Sequence, residues 1–481
     1  MTTARLSSPP VPLVDTGHHL SGPGRSIINP TRIPAIALGV LLAGYMLGDK
    51  GFAYLHLPGT PLFVGEVALA IIVVYLICFY PISDDRLRSP ARLTLVVFLL
   101  YSAFRTLPYL GEYGIDALRD ASQWYYGIFA FFVADFVRRR GIAPIVGWFG
   151  KILPWFVLWA PISLILSQVL TSPLVPDSDV PVSAHRGSNT SVLITACLGF
   201  MWMLDEEDTG ITRRQRAILT SVAGLFLVVA GIQNRGGFLA AIAGIAVIYW
   251  YARSGQRHFV GIICTVVILI GLIFSVTDIR VSFFSNERDI SAQQVVENLV
   301  SVVNPDAVAT SGDLASNSSW RLDLWNEILR DVNLNAPVLG RGYGVSLGRL
   351  YGFEGLGETE LRSAHNSHMT IFARSGYLGV GLWFLMWVIW FIAMIRSRRA
   401  LAARGLKMEA AVAVVAMACA LAVLVNAVFD PSIEGPPVSA WIWSVYGLGL
   451  GLVLLSRPDR AAPNWELAPG ARPGRLEHPT S

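Results

Sequence analysis

A pair of glycines follows Arg235 at the start of an apolar run. The run is preceded by Gln233 and Asn234 and continues through Gly236 and Gly237. Glycines allow another group to approach the backbone closely, and a helix N-terminus offers unpaired N–H groups and a partial positive charge. The segment therefore predicts an anion site. The alternative is an arginine whose charged end simply reaches water.

Three other arginines stand in comparable surroundings. Arg186 comes just before a further apolar run and repeats the arrangement at Arg235. Arg321 lies one helical turn before Trp325, so its side chain either points into a site or stacks on that ring. Arg341 lies between two glycines, and it is either functional or a solvated loop residue.

One histidine is placed to act as a base. His365 and Asn366 open an apolar run, and His368 follows one turn later. A helix N-terminus disfavours a positive charge, which keeps an imidazole neutral and able to accept a proton. The alternative is a structural histidine. Asp430 and Glu434, in a later link, are either carboxylate partners or solvated loop residues.

Motifs for metal or nucleotide chemistry are absent from the sequence. It contains no HExxH, no Walker loop, no GxSxG and no paired-cysteine site. The four cysteines each lie within an apolar run, where they are expected to pack as small hydrophobic side chains. We therefore predict neither a metal site nor a cofactor, and we expect arginines to stabilise any developing negative charge.

The elements that hold these residues are predicted from composition. Of the 481 residues, 53% are hydrophobic and 15% are charged, and the mean hydropathy is +0.53. Soluble domains carry about a quarter charged residues, so these values indicate a polytopic membrane protein. The net charge of +4 is too small to argue for nucleic acid. About twelve apolar runs predict an all-α fold, near 32–49, 61–80, 92–107, 117–137, 143–170, 191–204, 215–232, 236–252, 258–276, 367–395, 408–429 and 437–456.

Orientation follows from the basic residues, which favour the cytoplasmic side. Most of the 37 Lys and Arg residues lie at the two ends of the chain and in the even-numbered links. The prediction is therefore a protein of the cytoplasmic membrane with both termini inside and the four arginines above on the external face. Its parts are a disordered N-terminus (1–31), helices 1–9 (32–276), an external helical cap between helices 9 and 10 (277–366), helices 10–12 (367–456) and a disordered tail (457–481).

An ordered set of motifs in the later part of the chain carries a family resemblance. His365 and Asn366 are followed, after nine residues, by Gly376 and Gly379, an arrangement that resembles the signature of bacterial O-antigen ligases. The Arg235 segment, Arg321 with Trp325, and the glycine-rich segment 340–344 accompany it. Together, over about 185–435, they resemble the O-antigen ligase/polymerase superfamily of membrane glycosyltransferases. The sequence departs from the usual pattern before Arg235, where a serine is common.

The resemblance implies a C-type glycosyltransferase fold without a metal cofactor. The donor would be a glycan on undecaprenyl diphosphate, and the acceptor lipid A-core or another lipid or glycan, with inversion at the anomeric carbon. His365 would take the proton from the acceptor hydroxyl, and Arg186, Arg235 and Arg321 would clamp the diphosphate. His365, Arg235 and Arg321 are then the catalytic residues. The residues expected to bind the diphosphate or the glycan are Arg186, Arg341, Asn366, Trp325, Gly236 and Gly237.

Two other functions fit the sequence. A Wzy-type O-antigen or exopolysaccharide polymerase would share the chemistry and differ in its acceptor. A transporter or lipid flippase would also have many spans. It would need ionisable residues in its core, and only Asp120, Asp135 and Lys151 are evident there. The sequence does not determine the sugar, the linkage, the acceptor or the oligomeric state.

Overall fold

The computed structural model describes residues 29–60, 62–80, 89–169, 174–176, 180, 187–252, 312–353 and 361–457. These residues are mostly helical, and no β-strand occurs among them. The helices, in chain order, are α1 (Arg32–Ala53), α2 (Val64–Phe79), α3 (Pro90–Thr106), α4 (Leu110–Tyr113), α5 (Ile115–Tyr125), α6 (Ile128–Arg140), α7 (Ala143–Val169), α8 (Gly187–Met203), α9 (Glu206–Thr209), α10 (Arg213–Gln233), α11 (Arg235–Tyr251), α12 (Gly312–Asn335), α13 (Leu347–Leu350), α14 (Ser367–Ala403), α15 (Lys407–Phe429) and α16 (Pro436–Leu455).

Six helical segments within the described ranges are long and apolar enough to cross a bilayer. They are Arg32–Ala53, Pro90–Tyr113, Ala143–Leu164, Ser367–Ala403, Lys407–Phe429 and Pro436–Leu455. Two shorter apolar helices, Val64–Phe79 and Gly236–Tyr251, accompany them. The prediction of an all-α polytopic membrane protein is thus supported, whereas the count of twelve stays a prediction. The ninth predicted span, 258–276, and the first part of the cap lie outside the described residues.

The fourth predicted span differs from the expectation. The run 117–137 forms two helices, α5 and α6, which are separated at Tyr126 and Gly127. A side chain on Gly127 would lie 2.7 Å from Leu99 and 2.8 Å from the Trp124 carbonyl, so the chain packs tightly at the break. The first half, α5, carries Arg119, Asp120 and Gln123, whereas α6 begins with the apolar residues 128–134.

Helix α15 lies at the centre of the described bundle. It packs against α8, α11, α14 and α16. Its sequence is rich in alanine, and small residues let membrane helices approach closely. On the facing helix α11, a side chain on Gly244 would lie 3.0 Å from the Ala418 carbonyl. This close packing fixes the end of α15, at Phe429, relative to its neighbours.

Aromatic contacts orient α14 against α16. Trp387 of α14 contacts Trp390 with ring centroids 5.5 Å apart and Tyr446 of α16 at 5.2 Å. The Trp390 indole N–H donates to the Tyr446 carbonyl at 3.0 Å, so its burial leaves no polar group unpaired. Trp383, further towards the start of α14, donates to His368 Nδ1 at 3.1 Å.

A break in α14 joins it to the segment that follows α12. Gly376 has φ 65° and ψ −166°, a conformation that is essentially restricted to glycine. The segment 337–342 lies in the break, where a side chain on Gly340 would come within 2.5 Å of the Gly376 nitrogen. Four backbone hydrogen bonds join the two segments. They run from Arg341 N–H to Ala373 O at 2.7 Å, from Gly342 N–H to Arg374 O at 2.9 Å, from Tyr377 N–H to Pro337 O at 2.8 Å and from Leu378 N–H to Val338 O at 3.4 Å.

Two of the acids in predicted spans are paired with arginines. Asp120 of α5 accepts from Arg374 at 2.9 Å, from Arg362 at 3.2 Å and from the Gly344 N–H at 2.9 Å. This network ties α5 to the glycine-rich segment and to α14. Asp135 of α6 is the second such acid. It accepts from Arg138 at 2.6 Å, from Arg139 at 2.7 Å and from the Tyr75 hydroxyl at 2.6 Å.

Candidate functional site

Four helices meet at the C-terminal end of α15, around Phe429 and Asp430, and three of them bring polar groups there. The Ser188 hydroxyl at the start of α8 donates to the Asp430 carboxylate at 2.6 Å. The Arg321 guanidinium of α12 donates to the Phe429 carbonyl at 3.1 Å, and the Ser367 hydroxyl at the start of α14 donates to the Asp430 carbonyl at 3.3 Å. The fourth helix, α11, packs against this end with two glycines, Gly236 and Gly237. We call this region the α15 end.

The turn before α11 forms as its sequence predicts. Helix α10 ends at Gln233, and α11 begins at Arg235. The Asn234 side chain caps α11 by accepting from the Gly237 N–H at 2.9 Å. Arg235 is therefore the first residue of a capped helix that begins at the α15 end, while its side chain lies outside what the structure describes.

The two glycines of this turn allow close packing between helices. A side chain on Gly236 would lie 2.5 Å from Cβ of Phe429, and one on Gly237 would lie 2.8 Å from Cα of Ser188. In the structure, the groups that approach these glycines are thus protein groups. Their contacts hold the start of α11 against α8 and α15.

The start of α8 carries a buried polar sequence. Helix α8 begins at Gly187, and the next four residues, 188–191, are buried despite their polar side chains. Arg186 directly precedes this helix and lies outside the described residues. Its place in the chain, two residues before the serine that contacts Asp430, supports its assignment to the α15 end, which stays a prediction.

Arg321 is half-buried at the α15 end. Its guanidinium lies 5.5 Å from the ring centroid of Trp320, so the ring it contacts is the neighbouring one and not that of Trp325. Burial lowers the pKa of the Arg321 guanidinium, and the nearby Asp430 carboxylate acts against this effect. A partly desolvated guanidinium beside a single carboxylate suits the binding of a further anion.

The backbone of His365 is held in a left-handed conformation. Its φ is 51°, which a residue with a side chain rarely adopts. The preceding residue, Ala364, is fixed on both sides, because its carbonyl accepts from the Trp325 indole at 2.8 Å and its N–H donates to the Thr370 hydroxyl at 3.2 Å. The Trp320 ring meets the His365 ring edge-on at 5.4 Å.

Asn366 has a structural role next to His365. It is the N-cap of α14, where its side chain accepts from the N–H groups of His368 at 3.0 Å and of Met369 at 3.1 Å. The structure therefore shows how both Asn366 and Trp325 hold the backbone around His365. Their assignment to glycan binding stays a prediction.

His368 is engaged at both ring nitrogens. Its Nε2 lies 2.9 Å from the Leu424 carbonyl, and its Nδ1 accepts from Trp383 at 3.1 Å. A carbonyl only accepts and an indole N–H only donates, so this arrangement requires the neutral tautomer with the proton on Nε2. His368 thus packs α14 against α15.

Arg341 contacts a carboxylate at some distance from the α15 end. Its guanidinium makes two hydrogen bonds to Asp331, one of them from Nε at 2.7 Å, and the Tyr351 hydroxyl donates to the same carboxylate at 2.8 Å. The hydrogen bonds from Arg341 lower the pKa of Asp331 to about 2. Asp331 lies ten residues after Arg321 on α12, which is roughly 15 Å along the helix.

The Glu434 carboxyl is buried, and of its two expected roles the solvated loop residue is therefore wrong. Burial raises the pKa of its carboxyl to about 7, with Asp120 and Asp430 adding to the effect and Arg374 and Thr370 opposing it. The signal was a carboxylate four residues after Asp430, in a short link between two long apolar runs. Nothing in that link indicated that α5 and α14 would enclose it.

Metal ligands are not grouped in the described part of the chain. No set of three or more His, Cys, Asp or Glu side chains there is arranged to hold a metal ion. The expectation of a reaction without a metal or cofactor stays a prediction.

The fold and the α15 end define a polytopic helical membrane protein with histidine and arginine gathered where several helices begin. Residues 219–384, about a third of the chain, match the sequence model of the family described as O-Antigen ligase. The matched segment contains Arg235, Arg321 and His365, and it confirms the resemblance to the O-antigen ligase/polymerase superfamily. No curated protein matches the chain.

Proposed function

We propose that this protein is a membrane glycosyltransferase of the O-antigen ligase type. It moves a glycan from undecaprenyl diphosphate to an acceptor hydroxyl, on lipid A-core or a similar molecule, at the external face of the cytoplasmic membrane. The observation that carries the proposal is the meeting of His365, Arg321 and the first residue of α11, Arg235, around the end of α15. The family match over 219–384 supports the same reaction class.

In the proposed reaction, His365 is the base. The acceptor oxygen forms a bond to the anomeric carbon from the side opposite the diphosphate, and its proton passes to the imidazole. The bond between the anomeric carbon and the phosphate oxygen breaks, and its electron pair stays on the lipid diphosphate. The result is a single displacement with inversion, and it needs no oxidant, reductant or nucleotide.

Arginines stabilise the leaving group in this scheme. The negative charge on the diphosphate grows as the glycosidic bond breaks, and a guanidinium matches two phosphate oxygens at once. Arg321 and Arg235 supply this charge, together with Arg186. The start of α11 adds its unpaired N–H groups and its partial positive charge.

The location follows from the charge pattern and from the donor. The proposed orientation has both termini in the cytoplasm, so the α15 end faces outward and the cap that contains α12 covers it. No nucleotide sugar is available there, whereas a lipid-linked glycan is presented within the outer leaflet. The lipid tail would lie between helices in the bilayer.

His365→Ala is the first test. The assay follows transfer from a fluorescent undecaprenyl-diphosphate-linked repeat unit to lipid A-core by the full chain in proteoliposomes. We expect transfer to fall at least about 100-fold, because the proton then has no acceptor, while insertion and thermal unfolding stay unchanged. His56→Ala, in the link between α1 and α2, is the matched control and should transfer normally. Near-normal transfer by His365→Ala would remove the base from the scheme.

Arg235→Lys tests the diphosphate clamp. Lysine keeps the charge and loses the two-pronged geometry, so kcat should fall about tenfold or more. Arg214→Lys, an exposed change at the start of α10, is the control. Transfer should also persist in EDTA. If a metal ion bound the diphosphate instead, EDTA would abolish transfer and a divalent cation would restore it.

A polymerase of the same superfamily is the second candidate, because the matched family model also fits that chemistry. A single lipid-linked repeat offered without lipid A-core separates the two, since only a polymerase would lengthen it. A transporter is less favoured, because Asp120 and Asp135 are both held by arginines. Ion-coupled uptake into vesicles would reverse that preference.

A further inference from the structure

A patch of apolar side chains is exposed where α12 ends and α14 breaks. Leu334, Val338 and Leu339 lie at the end of α12 and just beyond it, and Tyr377 and Leu378 directly follow the break. Leu334 is 72% exposed and Val338 is 58% exposed. We call these five residues the apolar edge. Apolar side chains gathered on a surface mark a contact with another molecule or with lipid.

The outer surface of α12 before this edge has a different character. Asp323, Glu327 and Arg330 are exposed there, together with Leu322 and Leu329. Charged side chains are costly in hydrocarbon, so this stretch of α12 lies outside it. The exposed surface therefore changes from mixed to apolar only at the last turn of the helix.

The depth of the apolar edge follows from α14. Arg396 is the first of the basic residues that end the apolar part of this helix, and Leu378 lies eighteen residues before it with no charged residue between them. Eighteen residues of helix are roughly 27 Å long, whereas the hydrocarbon core of a bilayer is about 30 Å thick. Leu378 therefore lies within the hydrocarbon, near the boundary opposite Arg396.

Backbone hydrogen bonds bring the end of α12 to the same depth. The Tyr377 N–H donates to the Pro337 carbonyl at 2.8 Å, and the Leu378 N–H donates to the Val338 carbonyl at 3.4 Å. Since these bonds join the two segments residue by residue, Val338 lies level with Leu378. The segment after α12 thus reaches the hydrocarbon beside α14.

The break in α14 is also paired as a membrane requires. The carbonyls of residues 373–375, just before the break, accept in turn from the Arg341 N–H at 2.7 Å, from the Gly342 N–H at 2.9 Å and from the Tyr101 hydroxyl at 2.6 Å. Irregular backbone occurs at membrane depth only where its polar groups find partners within the protein. These carbonyls meet that requirement.

Polar side chains that border the edge are paired as well. The Tyr377 hydroxyl donates to the Asn333 side chain at 2.8 Å, and the Asn335 amide donates to Asp331 at 2.7 Å. The Tyr377 ring is 55% exposed, so its apolar body faces outward while its hydroxyl has a polar partner. A tyrosine placed in this way is typical of the boundary between hydrocarbon and headgroups.

We propose that the apolar edge anchors the end of the cap in the bilayer. Its occupant is lipid acyl chains, because the edge continues the apolar side of α14, on which Leu378 and Leu385 are exposed seven residues apart. The leaflet is the one opposite Arg396, which is the external leaflet in the proposed orientation. The end of α12 then lies below the water-facing part of the cap, and its depth in the membrane is fixed. The anchor is independent of the reaction that the protein catalyses.

Fluorescence quenching tests the anchor. Val338→Cys is made in the full chain with its four native cysteines replaced by alanine, labelled with a small fluorophore and reconstituted into vesicles of phosphatidylethanolamine and phosphatidylglycerol. Leu322→Cys is the matched control, an exposed leucine on the same helix about three turns earlier. A lipid with a nitroxide near the top of its acyl chains should quench the label at position 338 several-fold more than at position 322. Iodide on both sides of the membrane should quench in the reverse order.

Two outcomes overturn the proposal. Equal quenching by iodide at the two positions would place the edge in water. Protection of position 338 from both iodide and the nitroxide lipid would show that protein covers the edge, either a second copy or another segment of this chain. If the chain without cysteines does not insert, a fluorescent amino acid incorporated at the same two positions of the otherwise unchanged protein gives the same measurement.

Discussion

Gly376→Ala should destabilise the junction between α14 and the segment 337–342. The backbone at Gly376, φ 65° and ψ −166°, is one that alanine adopts only at a cost of about 1–3 kcal/mol. The added methyl group would also meet backbone atoms, the Val338 carbonyl and the Gly340 nitrogen, the latter at 2.7 Å. Backbone atoms cannot swing aside as a flexible side chain would, so the two segments must separate.

The size of the effect follows from what the separation breaks. Four backbone hydrogen bonds join the segments, and each is worth about 1 kcal/mol net. With the conformational cost, the expected loss in the free energy of unfolding is about 5–7 kcal/mol. The Arg105 guanidinium, which donates to the Gly340 carbonyl at 3.1 Å, would lose its acceptor as well.

The same helix offers a matched control. Gly381 has an ordinary helical backbone, and a side chain there would meet no atom within 4 Å. Gly381→Ala should therefore leave the free energy of unfolding unchanged or raise it by about 1 kcal/mol, because alanine has a higher helix propensity than glycine. Both variants carry the same chemical change, so only the surroundings differ.

The assay is thermal unfolding of the full chain in detergent, together with limited proteolysis. Gly376→Ala should unfold at a clearly lower temperature than Gly381→Ala and should be cut faster between α12 and α14. If the two variants unfold at the same temperature and resist protease equally, the segments are not joined through Gly376 and the reasoning fails.

Two further predictions concern pH. The pKa of Asp331 is lowered to about 2, so its pair with Arg341 contributes stability above about pH 4 that is lost as pH falls through about 2. Asp331→Asn should cost at most about 2 kcal/mol at pH 7, less where water screens the partly exposed arginine, and nothing near pH 2, as denaturant unfolding would measure. The pKa of Glu434 is raised to about 7, so the wild type loses stability as pH rises from about 4.5 to about 7. Glu434→Gln lacks this loss and should gain up to about 3 kcal/mol on the wild type across that window. A difference between the two proteins that is independent of pH would contradict the enclosure of Glu434.

The apolar runs predicted the starts of α11 and α14 to within one residue. The capped start of α11 at Arg235 and the start of α14 after Asn366 both follow from a side-chain amide that accepts from the N–H groups of the next residues. Such signals lie within a few residues, so they can be read without knowledge of the fold. Within the described residues, most of the apolar runs are helices for the same reason.

Contacts between distant segments could not be predicted in this way. Ser122 and Glu434 are 312 residues apart in sequence, and the enclosure of the carboxyl arises only where their helices meet. The pairing of Arg341 with Asp331 likewise required the segment after α12 to fold back along it. The close approach of Leu99 to Gly127, at the break between α5 and α6, is likewise a contact that hydropathy does not record.

The joint at Gly376 has a consequence for movement in this molecule. Helix α12, the glycine-rich segment and the first turns of α14 are fastened to one another by backbone hydrogen bonds and by the Trp325–Ala364 contact. These contacts tie the position of His365 to that of α12. In the proposed function, a displacement of α12 that admits a long glycan would therefore also displace the proposed base.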